Sequence, residues 1–215
     1  MAFKENVMDI NDIVRAGPVV PVLQFDSVEQ GEHVSRALLA GGVRVLEITL
    51  RTPAAMDVIR HVAGLSDDLI VGVGTLTRAD EMAQAVAAGA RFGVSPGYTS
   101  ALGAAAKAAG LPLLPGVVTP SDILMALADG YETVKFFPAE PSGGVPMLRA
   151  LYGPFRQVRF CPTGGISAES APSYLAQPNV VCVGGSWLTP KALVDAGDWD
   201  GITRLARAAA ALPRG

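Results

Sequence analysis

A single lysine, Lys135, interrupts the apolar run Thr133-Val134-Lys135-Phe136-Phe137-Pro138-Ala139-Glu140. The β-branched and aromatic residues around it predict a strand. In a parallel sheet covered on both faces, such a strand is buried. Burial there disfavours the charged ammonium. A neutral amine is a nucleophile that forms a Schiff base with a ketone. The alternative is a lysine at the strand end that snorkels to water. A second polar pattern stands in Leu46-Glu47-Ile48-Thr49-Leu50-Arg51. Period two sets Glu47, Thr49 and Arg51 on one face and the aliphatics on the other. Glu47 offers a carboxylate for proton transfer and Arg51 a planar cation for a carboxylate. The same residues also read as a structural Glu–Arg ion pair, although a buried pair is weak evidence of stabilisation.

These groups need elements to hold them. A short helix is expected over Asn6–Ala16, closed by Gly17-Pro18. Strands are then expected over Val19–Phe25, Val43–Leu50, Leu69–Thr75, Arg91–Ser95, Leu111–Val118, Thr133–Phe137, Val158–Pro162 and Val180–Val183. Helices are expected between them over Val28–Ala40, Thr52–Ala63, Arg78–Ala88, Ser100–Ala109, Thr119–Ala128, Val145–Leu151 and Ala168–Ala176, with a last one over Trp199–Leu212. Asp26-Ser27 and Thr119-Pro120-Ser121 are helix starts; Gly41, Gly89, Gly110 and Gly130 are stops. Strictly alternating strands and helices predict parallel strands, and eight such units predict a single α/β domain over residues 1–215, a (β/α)8 barrel with an N-terminal helix. The competing open doubly wound sheet calls for a glycine-rich turn after the first strand, where Asp26-Ser27-Val28 stands instead.

In a β/α barrel, chemistry sits at the C-terminal ends of the strands. The third expected strand ends in Gly72-Val73-Gly74-Thr75 and the fourth in Ser95-Pro96-Gly97. The seventh ends in Pro162-Thr163-Gly164-Gly165 and the eighth in Gly184-Gly185-Ser186. Either glycine pair alone reads as a tight turn. Together, after the last two strands, they predict a phosphate site built from backbone N–H groups.

Composition narrows the partners. The chain has 215 residues, 50% hydrophobic and 17% charged, with a net charge of −3. No basic block is present, which argues against nucleic acid, and no apolar run reaches membrane-spanning length. The opening residues carry acids and lack a signal-peptide core, so a cytoplasmic protein is expected. Cys161 and Cys182 sit in separate apolar runs and read as small buried hydrophobes. His33 and His61 fall in expected helices away from other metal-ligand residues, so no metal site and no cofactor are expected.

The linked motifs Glu47-Ile48-Thr49-Leu50-Arg51-Thr52, Gly72-Val73-Gly74-Thr75, Ser95-Pro96-Gly97, Lys135 to Glu140, Cys161-Pro162-Thr163-Gly164-Gly165-Ile166 and Gly184-Gly185-Ser186-Trp187-Leu188 resemble the 2-keto-3-deoxy-6-phosphogluconate (KDPG) aldolase / 4-hydroxy-2-oxoglutarate aldolase family. They run in order over nearly the whole chain. The resemblance implies a metal-free class I aldolase, homotrimeric, of the Entner–Doudoroff pathway. It implies cleavage of the phosphorylated keto acid to pyruvate and glyceraldehyde 3-phosphate, and of 4-hydroxy-2-oxoglutarate to pyruvate and glyoxylate. Lys135 is then the Schiff-base lysine and Glu47 the general acid/base. Arg51 holds the pyruvyl carboxylate, and Thr75, Pro96 and Phe137 line the pyruvyl pocket. Gly164, Gly165 and Ser186 bind phosphate. Thr163 resembles the gluconate-type enzyme, where the galactonate type has an aliphatic residue. Gln24 stands where some members carry a phosphate-binding arginine. The alternatives are a pyruvate aldolase of the galactonate type and a non-catalytic phosphosugar-binding barrel.

Overall fold

The computed structural model describes residues 8–214. The helix expected from Asn6 is α1 (Ile10–Arg15), capped by Asp9, whose carboxylate accepts from the Asn11 N–H. Its expected first turn, at Asn6 and Val7, lies outside the described residues. Strands and helices then alternate: β1 (Val19–Leu23), α2 (Val28–Ala40), β2 (Val45–Thr49), α3 (Ala55–Ala63), β3 (Ile70–Gly74), α4 (Asp80–Ala87), β4 (Phe92–Val94), α5 (Ser100–Ala109), β5 (Leu113–Leu114) and β6 (Gly116–Val117). The second half holds α6 (Pro120–Ala128), β7 (Thr133–Phe136), α7 (Gly144–Tyr152), β8 (Arg159–Pro162), α8 (Ala171–Leu175), β9 (Val183–Gly185), α9 (Lys191–Asp195) and α10 (Trp199–Ala210). Thr119 and Asp122 form a reciprocal capping box at α6, with Pro120 in its first turn. No helix among the described residues is long and apolar enough to cross a membrane.

All strand pairs are parallel, as alternation with helices requires. Among the described residues they form two sheets where one ring of eight was expected. Six strands run in the order β5-β4-β3-β2-β1-β9 and three in the order β6-β7-β8. The break falls at Pro115, inside the expected fifth strand, which becomes β5 and β6. Proline has no N–H for the ladder. On the other side, isolated parallel bridges join Phe160 to Val180 and Thr163 to Gly184. The expected eighth strand also moves: β9 begins at Val183, so Gly184 and Gly185 lie in the strand and not in a turn after it.

Period two divides the core into two apolar layers. Val19, Leu46, Val71, Leu113, Phe160 and Val183 join the large cluster that also takes in the helices. Their neighbours Val20, Val45, Ile70, Leu114, Cys161 and Cys182 join a smaller cluster with Ile13 and Val14 of α1. Helix α1 therefore covers the N-terminal ends of the strands, where Thr133 at the start of β7 donates to the Asn11 side chain at 2.6 Å. Both cysteines are buried free thiols.

Candidate active site

One turn of the pleat above that apolar layer, two charged side chains meet. Lys135 on β7 donates to both oxygens of Glu47 on β2, at 3.0 and 3.3 Å. The two residues are only 4% and 3% exposed. A pair this dry holds only if each charge keeps its partner. The Lys135 ammonium also stands 5.3 Å from the centre of the Phe137 ring, within cation–π range. Gly74 of β3 is a consequence of this contact. A Cβ there overlaps the Glu47 carboxylate, so no larger residue leaves room for it.

Lys135 and Phe137 open onto a cavity of about 380 Å³, lined also by Gln24, Arg51, Thr163, Gly164, Gly165 and Ser186, with Val22, Ile166, Gly185 and Thr189 between them. The structure thus gathers seven of the sequence-predicted residues around one space. Arg51 donates through Nε to the Thr75 hydroxyl at 3.2 Å. Thr75 has φ 64°, a left-handed conformation that threonine rarely adopts. Such strain persists where the surroundings impose it, commonly at functional sites. Thr75 was expected in the pocket wall; its place is behind Arg51, orienting the guanidinium.

Pro96 is likewise one step back. Its carbonyl group packs against Gly116, the register partner of Lys135. Its neighbour Ser95, fully buried, accepts from the Gly116 N–H at 3.4 Å. Thr49 points inward as expected but its hydroxyl is spent on the Leu23 carbonyl at 2.9 Å. Thr163 is buried, bonds its hydroxyl to the Cys161 carbonyl at 3.4 Å, and faces Gly184 across the bridge.

At the far end of the cavity, Gly164 and Gly165 have φ 104° and 80°. This is backbone that only glycine takes without strain. Two residues that the sequence left without a role hold this loop. Glu140 donates its N–H to the Gly164 carbonyl at 3.0 Å, and its side-chain stem fills the space where a Gly165 side chain would go. The buried Tyr174 of α8 donates to the Glu140 carboxylate at 2.7 Å. Burial, then the Glu140 carboxylate, raise the Tyr174 hydroxyl above its usual value, so it remains a donor. Glu140 was visible as part of the motif around Lys135; Tyr174 carried no local signal.

The two histidines are surface residues, each beside a carboxylate: His33 at 4.0 Å from Glu29 and His61 at 2.6 Å from Glu32. Among the described residues no three His, Cys, Asp or Glu side chains cluster as metal ligands do. The arrangement is an amine on the cavity wall with a carboxylate in contact behind it, a guanidinium also on the wall, and the backbone of Gly164, Gly165 and Gly185 around it. It suits covalent chemistry on a ketone that carries anionic groups at both ends.

Comparison with known proteins agrees with this geometry. Residues 10–205 match the family described as KDPG and KHG aldolase. The chain is 50% identical over 200 residues to a 2-dehydro-3-deoxy-phosphogluconate aldolase of Pseudoalteromonas atlantica, covering 93% of each protein. It is 49% identical to a KHG/KDPG aldolase of Escherichia coli, covering 92% of each. The crystal structure of KDPG aldolase from Legionella pneumophila, with pyruvate captured as a covalent carbinolamine, aligns with a TM-score of 0.92 at 42% identity, over 95% of this chain and 99% of that one. The chain belongs to the KDPG and KHG aldolase family.

Proposed function

We propose that this protein is a class I aldolase that cleaves 2-keto-3-deoxy-6-phosphogluconate to pyruvate and glyceraldehyde 3-phosphate, and also 4-hydroxy-2-oxoglutarate to pyruvate and glyoxylate. The observation that carries this reading is the buried contact between Lys135, which lines the pocket, and Glu47 behind it. A phosphosugar-binding barrel without catalysis has no need for such a pair, which costs desolvation energy.

Glu47 takes a proton from Lys135, and the neutral amine attacks the substrate ketone. A proton then passes from the attacking nitrogen to the alkoxide, giving the carbinolamine, and the Glu47 carboxyl group returns its own proton to the same hydroxyl, so that water leaves. The resulting iminium is the electron sink. Glu47, a carboxylate again, removes the proton of the fourth-carbon hydroxyl directly or across one water. The bond between the third and fourth carbons breaks, its electron pair forms the enamine, and the aldehyde departs. Glu47 then protonates the third carbon, and water hydrolyses the imine to free pyruvate and Lys135.

Arg51, aimed by Thr75, holds the pyruvyl carboxylate through parallel hydrogen bonds. Phe137 packs on the pyruvyl methyl side, with Pro96 behind the wall. Gly164, Gly165 and Ser186 hold the phosphate, and Thr163 faces the aldehyde oxygen. Gln24 reaches the same end as a neutral donor, so the phosphate is held without an arginine there. The chain works as one domain, with the two sheets acting as a single eight-position barrel wall joined through Pro115 and the bridge at Thr163. Leu124 and Met125, exposed on α6, suit burial in a homotrimer. A cytoplasmic setting fits a substrate and a product that are both phosphorylated metabolites.

The experiment is incubation with the phosphorylated keto acid while pyruvate release is followed. Borohydride added with pyruvate should leave a reduced adduct on Lys135, mapped by mass spectrometry. Lys135→Arg should abolish turnover, since a guanidinium stays protonated. An adduct on Lys107 or Lys191, or none, would sink the mechanism.

A further inference from the structure

The aldol pocket lies at the C-terminal ends of the strands. At the opposite end of β8 is a second cavity, of about 340 Å³, lined by Arg15, Arg159, Pro178, Val180, Val181 and Arg214. Arg15 ends α1, Arg159 begins β8, and Arg214 follows α10. From Arg159 to Thr163 the chain advances roughly 13 Å at the usual strand rise, so the two cavities are separate. Small ligands commonly occupy spaces of this size.

Three guanidiniums around one cavity repel each other, and among the described residues no carboxylate lines it. Acidic residues are in excess in this chain, with a net charge of −3. Elsewhere they are used to pair arginines: Glu32 with Arg36, Asp68 with Arg44, Asp57 with Arg60, Asp80 with Arg78 and Asp198 with Arg204. Among the described residues, none of the three arginines here makes an ion pair. Two of them are held by backbone carbonyls instead. Arg214 donates to the Arg15 carbonyl at 2.7 Å, and Arg159 to the carbonyls of Arg156 and Val158 at 2.8 and 3.2 Å. A carbonyl fixes a guanidinium in place without neutralising it. It leaves most of the five N–H groups of each free to donate. Planar forks of this kind match the oxygen spacing of phosphate and carboxylate. Pro178, Val180 and Val181 add an apolar side for a short carbon chain.

We propose that this cavity is a binding site for an oxyanion of two or three negative charges, either inorganic phosphate or a small phosphorylated acid, distinct from the aldol centre. Arginine-directed dicarbonyl modification, mapped by mass spectrometry, tests it. Inorganic phosphate in one arm and 3-phosphoglycerate in another should slow modification of Arg15, Arg159 and Arg214 together by several-fold. Chloride at matched ionic strength should not. The arm that protects at the lower concentration identifies the source of the anion. Arg159→Gln should lose the protection at Arg15 and Arg214 while cleaving the keto acid at the wild-type rate, which shows that it is folded. Equal protection by chloride, or protection that survives in Arg159→Gln, overturns the proposal. So does resistance to the reagent that is complete before any anion is added, which would mean that the three guanidiniums are already covered.

Discussion

Lys135 and Glu47 are 88 residues apart in the chain and 3.0 Å apart in the fold. Neither does the chemistry alone: the amine needs a group to take and return its proton, and the carboxylate needs a nucleophile beside it. Glu47→Gln keeps the shape and removes the acceptor. Turnover should fall by roughly a hundredfold or more, the usual scale for a general acid/base. The thermal midpoint, measured beside the rate, separates the two roles of the residue. A variant that unfolds at assay temperature would make Glu47 a structural partner of Lys135 and remove the support for its catalytic role.

Thr163 is the second residue with an arguable choice of roles. Its hydroxyl has a weak, long bond to the Cys161 carbonyl, at 3.4 Å, and the residue lines the cavity. A net hydrogen bond of about 0.5–1.5 kcal/mol to the aldehyde oxygen allows roughly a two- to twelvefold preference between the gluconate and galactonate configurations. Thr163→Val should shift the ratio of the two cleavage rates by that factor. Equal losses on both substrates would leave the hydroxyl as a prop for the glycine turn.

At the scale of elements, the loop after β8 is held from outside itself. Helix α8 supplies Tyr174, Tyr174 holds the Glu140 carboxylate, and the Glu140 stem rests on Gly165. Tyr174→Phe removes the hydroxyl and little volume. A hydrogen bond to a charged group contributes about 1.5–3 kcal/mol, of which only a part reaches the substrate, so KM for the phosphorylated keto acid should rise roughly three- to tenfold. The value of kcat should stay within about twofold, because the Lys135 floor is untouched. The unphosphorylated analogue of the same keto acid should show no change in KM. A parallel rise on both substrates would mean that the whole pocket has loosened and that Tyr174 has no selective hold on the phosphate end.

For the whole molecule, the apolar layer of Val20, Val45, Ile70, Phe92 and Leu114 fills the lower interior, with α1 beneath it. The buried charges of Glu47 and Lys135 stand above that layer, where the cavity opens. The imine supplies the electron sink, so no bound cation is needed to stabilise the enolate. Exhaustive chelation should therefore leave the cleavage rate unchanged. A loss of rate restored by a divalent cation would point to metal-assisted aldol chemistry and against the Schiff base.

Much of this was legible along the chain. Alternating apolar periods, glycine stops and Ser27 and Thr119 caps marked the strands and helices, because those signals act over a few residues. The inward face of Glu47 followed from period two. Boundaries were less legible. Pro115 split one expected strand, and Gly184 and Gly185 entered β9, because pairing with Val20 and Pro21 of β1 stabilised them in spite of their low strand propensity. The site itself was legible as a set of residues but not as a geometry. Only the fold brought Glu47 against Lys135, set Thr75 behind Arg51, and put Tyr174 on Glu140. Contacts over such distances depend on how strands close around a core, and no local pattern encodes that. The three arginines at the base are the clearest case: Arg15, Arg159 and Arg214 carry no local signal in sequence, and surround a cavity only because the end of α1, the start of β8 and the segment after α10 meet at the same place.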